Sequence, residues 1–163
     1  MEHPSLDPPC AATLHQLRTA NGLSVDQVAA SIGLNKNSAR DLESYDDELY
    51  PNVSLAVIQR LALLLKTTVS QLLLLEPDAK RGAQVTFNAV VRRLGEHLQT
   101  TGQSADSFGD QIGWDIASTL SDPAEIWAWS PDELRNVATG LGVDWVGALP
   151  SLTDVPPPIQ AGA

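Results

Sequence analysis

Twice in this sequence a helical pattern is broken by glycine and restarted by serine at the same spacing. Leu14-x-x-Leu17-Arg18-x-x-x-Gly22-Leu23-Ser24 leads into Asp26, Val28-Ala29 and Ile32-Gly33-Leu34. Leu94-x-x-His97-Leu98-x-x-x-Gly102-Gln103-Ser104 leads into Asp106, Phe108-Gly109 and Ile112-Gly113-Trp114. The later parts also correspond, 54–73 against 130–149, at a shorter offset, so the second copy has lost residues after its third helix. Such a repeat predicts two related helical units, 13–75 and 86–149, joined by a linker at 76–85. The Pro-rich ends, 1–12 and 150–163, read as a disordered leader and a disordered tail.

Within the first unit each helix carries its own start and stop signals. Leu14, Leu17 and Ala20 form one apolar face that ends at Asn21-Gly22. Ser24 is a good N-cap for a second helix, whose Val28, Ala29 and Ile32 make a buried stripe stopped by Gly33. Asn35 caps a third over 36–44, with Ala39 and Leu42 inward. Ser54 caps a fourth, with Leu55, Ile58, Leu61, Ala62 and Leu65 apolar, and Ser70 opens a short fifth through Leu75. In the second unit Ser130-Pro131-Asp132-Glu133 is a capping box that predicts a helix over 134–141. No strand competes, so the fold class is all-α.

These residues resemble the lambda-repressor-like helix-turn-helix family, in its xenobiotic-response-element group. The resemblance covers 14–75 as Leu-x-x-Leu-Arg…Gly-Leu-Ser-x-x-x-Val-Ala…Ile-Gly-Leu…Asp-Leu-Glu, then Pro51, Ser54-Leu55 and a Leu/Ala-rich helix. It implies a five-helix domain whose third helix enters the major groove while the second braces against the backbone. Asn35, Lys36, Asn37, Ser38 and Arg40 then occupy the reading positions, Arg suited to guanine and Asn to adenine. Amides near Ser24 and Val25 would accept a phosphate, although Val25 stands where the family often carries Gln. The resemblance also implies an internal ion pair between Arg18 and Glu43.

Charge complicates a nucleic-acid role. The chain carries a formal net charge of −10, and phosphate attraction supplies most non-specific affinity for DNA. Five basic residues face six acidic ones over 13–75, but three face nine over 86–149, so the acidity sits mainly in the second unit. That unit's counterpart of the reading helix, 115–120, has no cation and is cut short by Pro123. Near the first unit's reading helix stand Asp41, Asp46, Asp47 and Glu48, which repel a phosphate backbone unless turned away. Lys80, Arg81, Arg92 and Arg93 are either extra phosphate contacts or solvated charges.

All four tryptophans fall in the second unit. Trp127 and Trp129, two apart between Pro123 and Pro131, are not expected to face one core together. An exposed one would be a protein-contact anchor. Two readings follow. One is a sequence-specific DNA-binding transcriptional regulator, its second unit mediating homodimer or partner assembly. The other is an adaptor, antitoxin-like inhibitor or assembly factor that kept the fold without DNA binding.

An enzyme is not expected. His3, His15 and His97 lack a metal-ligand spacing, Cys10 stands in no nucleophile motif, and no glycine loop cradles phosphate. No metal or cofactor is therefore predicted. The absence of an apolar run of bilayer length and of a secretory signal pattern points to a soluble, cytoplasmic protein without a membrane partner.

Overall fold

The structure, a computed structural model, describes residues 9–75 and 82–159, and these residues are helical without a strand. The predicted leader at 1–8, the linker at 76–81 and the tail at 160–163 lie outside the described residues. Six α-helices come first: α1 (Cys10–Ala20), α2 (Val25–Ile32), α3 (Lys36–Ser44), α4 (Leu49–Asn52), α5 (Leu55–Leu64) and α6 (Val69–Leu72). A 3-10 turn, Phe87–Ala89, then leads into α7 (Val90–Thr101), α8 (Ala105–Ile112) and α9 (Ala117–Ser121). A second 3-10 turn, Pro123–Ala128, precedes α10 (Pro131–Leu141).

The local signals act where the sequence puts them. Ser24, Asn35, Ser54, Ser104 and Ser130 each accept a backbone N–H of the first turn they open. α2 and α8 match closely: each has eight residues, a serine N-cap and a left-handed glycine, Gly33 or Gly113, at its C-terminus. The helices after them do not match. α3 has nine residues and a capping Asn35, whereas α9 has five and no side-chain cap. Asp122 and Pro123, which open the second 3-10 turn, end α9 early.

Three boundaries differ from expectation. The first helix starts at Cys10, inside the predicted leader, and Cys10 and Ala11 are buried. The short helix after α5 is capped by Thr68 in a capping box with Gln71, two residues before the predicted start at Ser70. Linker residues 82–85 belong to the second half: Ala83 N–H donates to the Gly142 carbonyl at 3.2 Å, and Asp144 N–H to the Ala83 carbonyl at 2.8 Å.

The buried side chains of both halves form one continuous cluster, from Cys10 through Leu149. α1 and α2 pack on α3, α5 lies against α2 and against the second 3-10 turn, and α10 packs on α4, α7 and α8. The first amide of α5 has no partner within its own helix, and the Trp129 carbonyl accepts it at 2.7 Å. Tyr50 donates its hydroxyl to the Leu73 carbonyl at 2.7 Å and lies edge-on to Trp145 at 6.3 Å. Arg135 stands 5.8 Å from both of those rings.

The segment 150–159, predicted as disordered tail, runs back over the first half. Buried Gln59 donates through Nε2 to the Ser151 and Asp154 carbonyls at 2.7 and 2.8 Å. A buried amide needs such acceptors, and only this segment provides them among the bonds of the described residues. The tail is therefore held by the polar demand of α5, which composition does not reveal.

Candidate nucleic-acid interface

α3 is amphipathic in the sense its sequence requires. Ala39 and Leu42 are buried, so the 3.6-residue turn leaves Lys36, Asn37, Arg40 and Asp41 exposed on the opposite side. Asn35 is occupied at the helix start, its Oδ1 accepting Ser38 N–H at 2.8 Å, while the half-buried Ser38 lines a cleft beside α3. Of the predicted reading residues, Lys36, Asn37 and Arg40 are thus placed together with free reach to solvent. Arg40 forms no ion pair among the described residues, whereas Lys36 lies 3.4 Å from Asp26 in an exposed pair.

The start of α2 is a complete capping box. Ser24 Oγ accepts Gln27 N–H at 3.1 Å, and Gln27 Oε1 accepts Ser24 N–H at 2.8 Å. Ser24 is thereby committed to its own helix, and Asp26 puts a carboxylate in the first turn where a phosphate would sit.

Arg18 and Glu43 fix how α3 is presented. Arg18 Nε donates to both Glu43 oxygens, at 2.9 and 2.8 Å, and its Nη1 donates to the Leu23 carbonyl at 2.8 Å. Both side chains are largely buried, so the pair ties α1, the turn before α2 and the inner side of α3 into one unit. His15, mostly exposed, adds a contact from Nδ1 to Glu43 Oε1 at 2.9 Å.

The acidic loop after α3 is not uniformly turned to solvent. α1 has no side-chain cap of its own, and Asp46 Oδ1 accepts Ala11 N–H at 3.0 Å. That carboxylate is spent on the N-terminus of α1, a role with no local sequence signal because the partners lie 35 positions apart. Leu49 and Tyr50 continue the loop as α4 and are buried. Asp41 and Glu48 instead line the cleft of about 300 Å³ between α3 and the start of α5. A phosphate approaching that cleft meets two carboxylates.

The second half has no matching group of outward cations at the corresponding helix. α9 has no basic residue, and Asp115, just before it, accepts Ala117 N–H through Oδ1 at 2.9 Å. Arg92 and Arg93 are exposed on α7, Arg92 lying 3.9 Å from Glu96, while Lys80 and Arg81 lie outside the described residues.

The tryptophan expectation is corrected. Trp127 and Trp129 are both buried, at 9% and 1% exposure, so neither stands at the surface as a contact anchor. Trp127 packs edge-on to Phe87 at 4.5 Å, and Trp129 donates Nε1–H to Thr119 Oγ1 at 3.1 Å. A 3-10 turn with packed helices on both sides accommodates two rings spaced two apart.

Burial raises the Glu133 carboxyl above the ordinary glutamate value, opposed by its bonds from Ser130. The folded state therefore holds a proton more tightly than the unfolded chain, and stability falls as pH rises through that window. Glu133→Gln keeps an acceptor for Ser130 N–H and removes the half-buried charge. Its melting temperature at pH 7 is expected to equal or exceed that of the parent, the difference closing below about pH 4. Thermal melts of both proteins across pH check this; a lower value at pH 7 contradicts it.

Among the described residues no group of three or more His, Cys, Asp or Glu is placed to hold a metal ion. No helix among them is long and apolar enough to cross a membrane. No protein-family model and no curated protein sequence matches this chain.

Proposed function

We propose that the chain is a sequence-specific DNA-binding regulator with a lambda-repressor-like helix-turn-helix fold over 13–75, followed by a degenerate copy of that fold over 86–149. α2 and α3 are the helix-turn-helix pair, and α3 enters the major groove by its first turns. The observation that carries this reading is the outward group of Lys36, Asn37 and Arg40 on a helix locked from behind by Arg18 and Glu43. Arg40 would pair with guanine, Asn37 with adenine, and Lys36 would leave Asp26 for a phosphate. The second half braces the first and supports assembly. With Trp127 and Trp129 inside, the surface it offers is acidic, with Asp106, Asp110, Asp115, Asp122 and Glu125 exposed.

Fluorescence anisotropy with a pool of random-sequence duplexes at low salt tests this. Lys36→Ala with Arg40→Ala should weaken binding at least about tenfold, the loss of one good base contact and one phosphate contact. Unchanged affinity in that double variant would remove α3 from the interface.

A second reading, a protein-interaction factor that does not bind DNA, is favoured by the carboxylates around α3. Asp26 already pairs with Lys36, and Asp41 and Glu48 line the adjacent cleft. It predicts no duplex binding by a folded protein at any salt concentration.

A further inference from the structure

The segment 150–159 is anchored firmly at one end and weakly at the other. At the anchored end, Gln59 holds the Ser151 and Asp154 carbonyls. Asp154 Oδ1 accepts Asn88 Nδ2–H at 2.8 Å, and its Oδ2 accepts Ser151 N–H at 2.8 Å. This end therefore bridges α5 and the 3-10 turn before α7. Beyond it, Val155 is 82% exposed. Arg60 Nη2 then donates to the Pro157 carbonyl. Finally the Ile159 side chain lies against Gly33, where a Cβ would stand only 3.3 Å from it.

Gly33 is the glycine between α2 and α3, two residues before the Asn35 cap of the reading helix. Three consecutive prolines, 156–158, make a stiff extended spacer that delivers Ile159 to that turn. At the distal end stand a hydrogen bond from a half-buried arginine and the aliphatic contact of a half-exposed isoleucine. Few buried contacts mean a low local cost of opening. The strap also occupies Arg60, one of five basic residues in the first half.

We infer that 156–159 is an intramolecular strap that competes with duplex DNA for the α2–α3 turn and for Arg60, so that its release raises DNA affinity. The inference rests on the DNA-binding reading above. Gly33, against which Ile159 packs, stands three residues before Lys36, so a duplex drawn to the start of α3 comes up to the turn the strap covers, and Arg60 cannot serve both a phosphate and the Pro157 carbonyl in one geometry. Binding is then reduced by the fraction of molecules with the strap open.

The test compares the full chain with a chain ended after Val155, which keeps the Ser151 and Asp154 anchor. The removed residues contain no charged side chain, so the net charge is unchanged and non-specific attraction is not altered. Ile159→Ser in the full chain, which also leaves the charge unchanged, is the second variant, and far-UV circular dichroism verifies the fold of both. With the random duplex pool at low salt, the shortened chain should bind about tenfold tighter, as for a strap docked about nine-tenths of the time. Hydrogen exchange at the Leu34 amide, bonded to the Ala29 carbonyl, should quicken in both variants. Equal affinity of full and shortened chains, with clear binding by each, overturns the strap and leaves the DNA-binding reading intact. No binding by either chain overturns both, whatever the exchange at Leu34.

Discussion

Trp129→Ala is expected to cost about 3–5 kcal/mol and to unfold both halves of the chain in a single transition. The indole is 1% exposed and donates to Thr119, while the Trp129 backbone carbonyl holds the first amide of α5. Truncation leaves a large cavity where α5 meets the second 3-10 turn, and Thr119 Oγ1 loses its donor. Because one continuous cluster of buried side chains spans both halves, a cavity at their junction weakens each of them. Urea denaturation followed by circular dichroism and by hydrogen exchange in α2 and α10 reads the effect. Two separated transitions, or a loss below about 1 kcal/mol, would mean that the halves stand independently.

Glu43→Ala is expected to cost about 2–3 kcal/mol, below the range for a fully buried pair because both side chains keep some solvent contact. The variant leaves the Arg18 guanidinium with the Leu23 carbonyl and His15, its Nε–H no longer shared by the two carboxylate oxygens. Most of that loss is the desolvation of a charge without its partner, so removing both charges should be milder. Arg18→Met combined with Glu43→Leu should recover more than half of it. Urea midpoints of the two single variants and the double variant check this. A Glu43→Ala loss near zero would class the pair with exposed ion pairs, and α3 would need another anchor.

Much of the helical layout was legible because its signals are local. Ser24, Asn35, Ser54 and Ser130 open their helices within three residues of the amides they cap, and Gly33 and Gly113 supply the left-handed turns that end α2 and α8. What escaped depends on partners far along the chain. Asp46 caps α1 from 35 positions away, and this draws Cys10 and Ala11 into a helix instead of a leader. α4 holds only four residues, too few for a period, and is stabilised by packing against α10. The ordered tail did leave one trace: Gln59 interrupts the apolar positions of α5 and had to find buried acceptors. Trp127 and Trp129 misled because a helical period assumes one buried side, whereas a 3-10 turn between packed helices has two.

The candidate site was legible only as positions. Lys36, Asn37 and Arg40 follow from the spacing of Ala39 and Leu42, but the competition around them does not. Asp26 reaches Lys36 across two helices, and Asp41 and Glu48 meet in a cleft that requires α3, α4 and α5 together. The balance between three outward polar side chains and three nearby carboxylates is what decides whether α3 reads DNA.

Duplex binding by the intact chain across a salt series weighs that balance most directly. A DNA reader will bind at low salt, with log affinity falling linearly against log salt by about 0.9 for each phosphate neutralised. A protein that is folded at every salt concentration and binds no duplex at any of them would contradict the assignment of α3 as a reading helix.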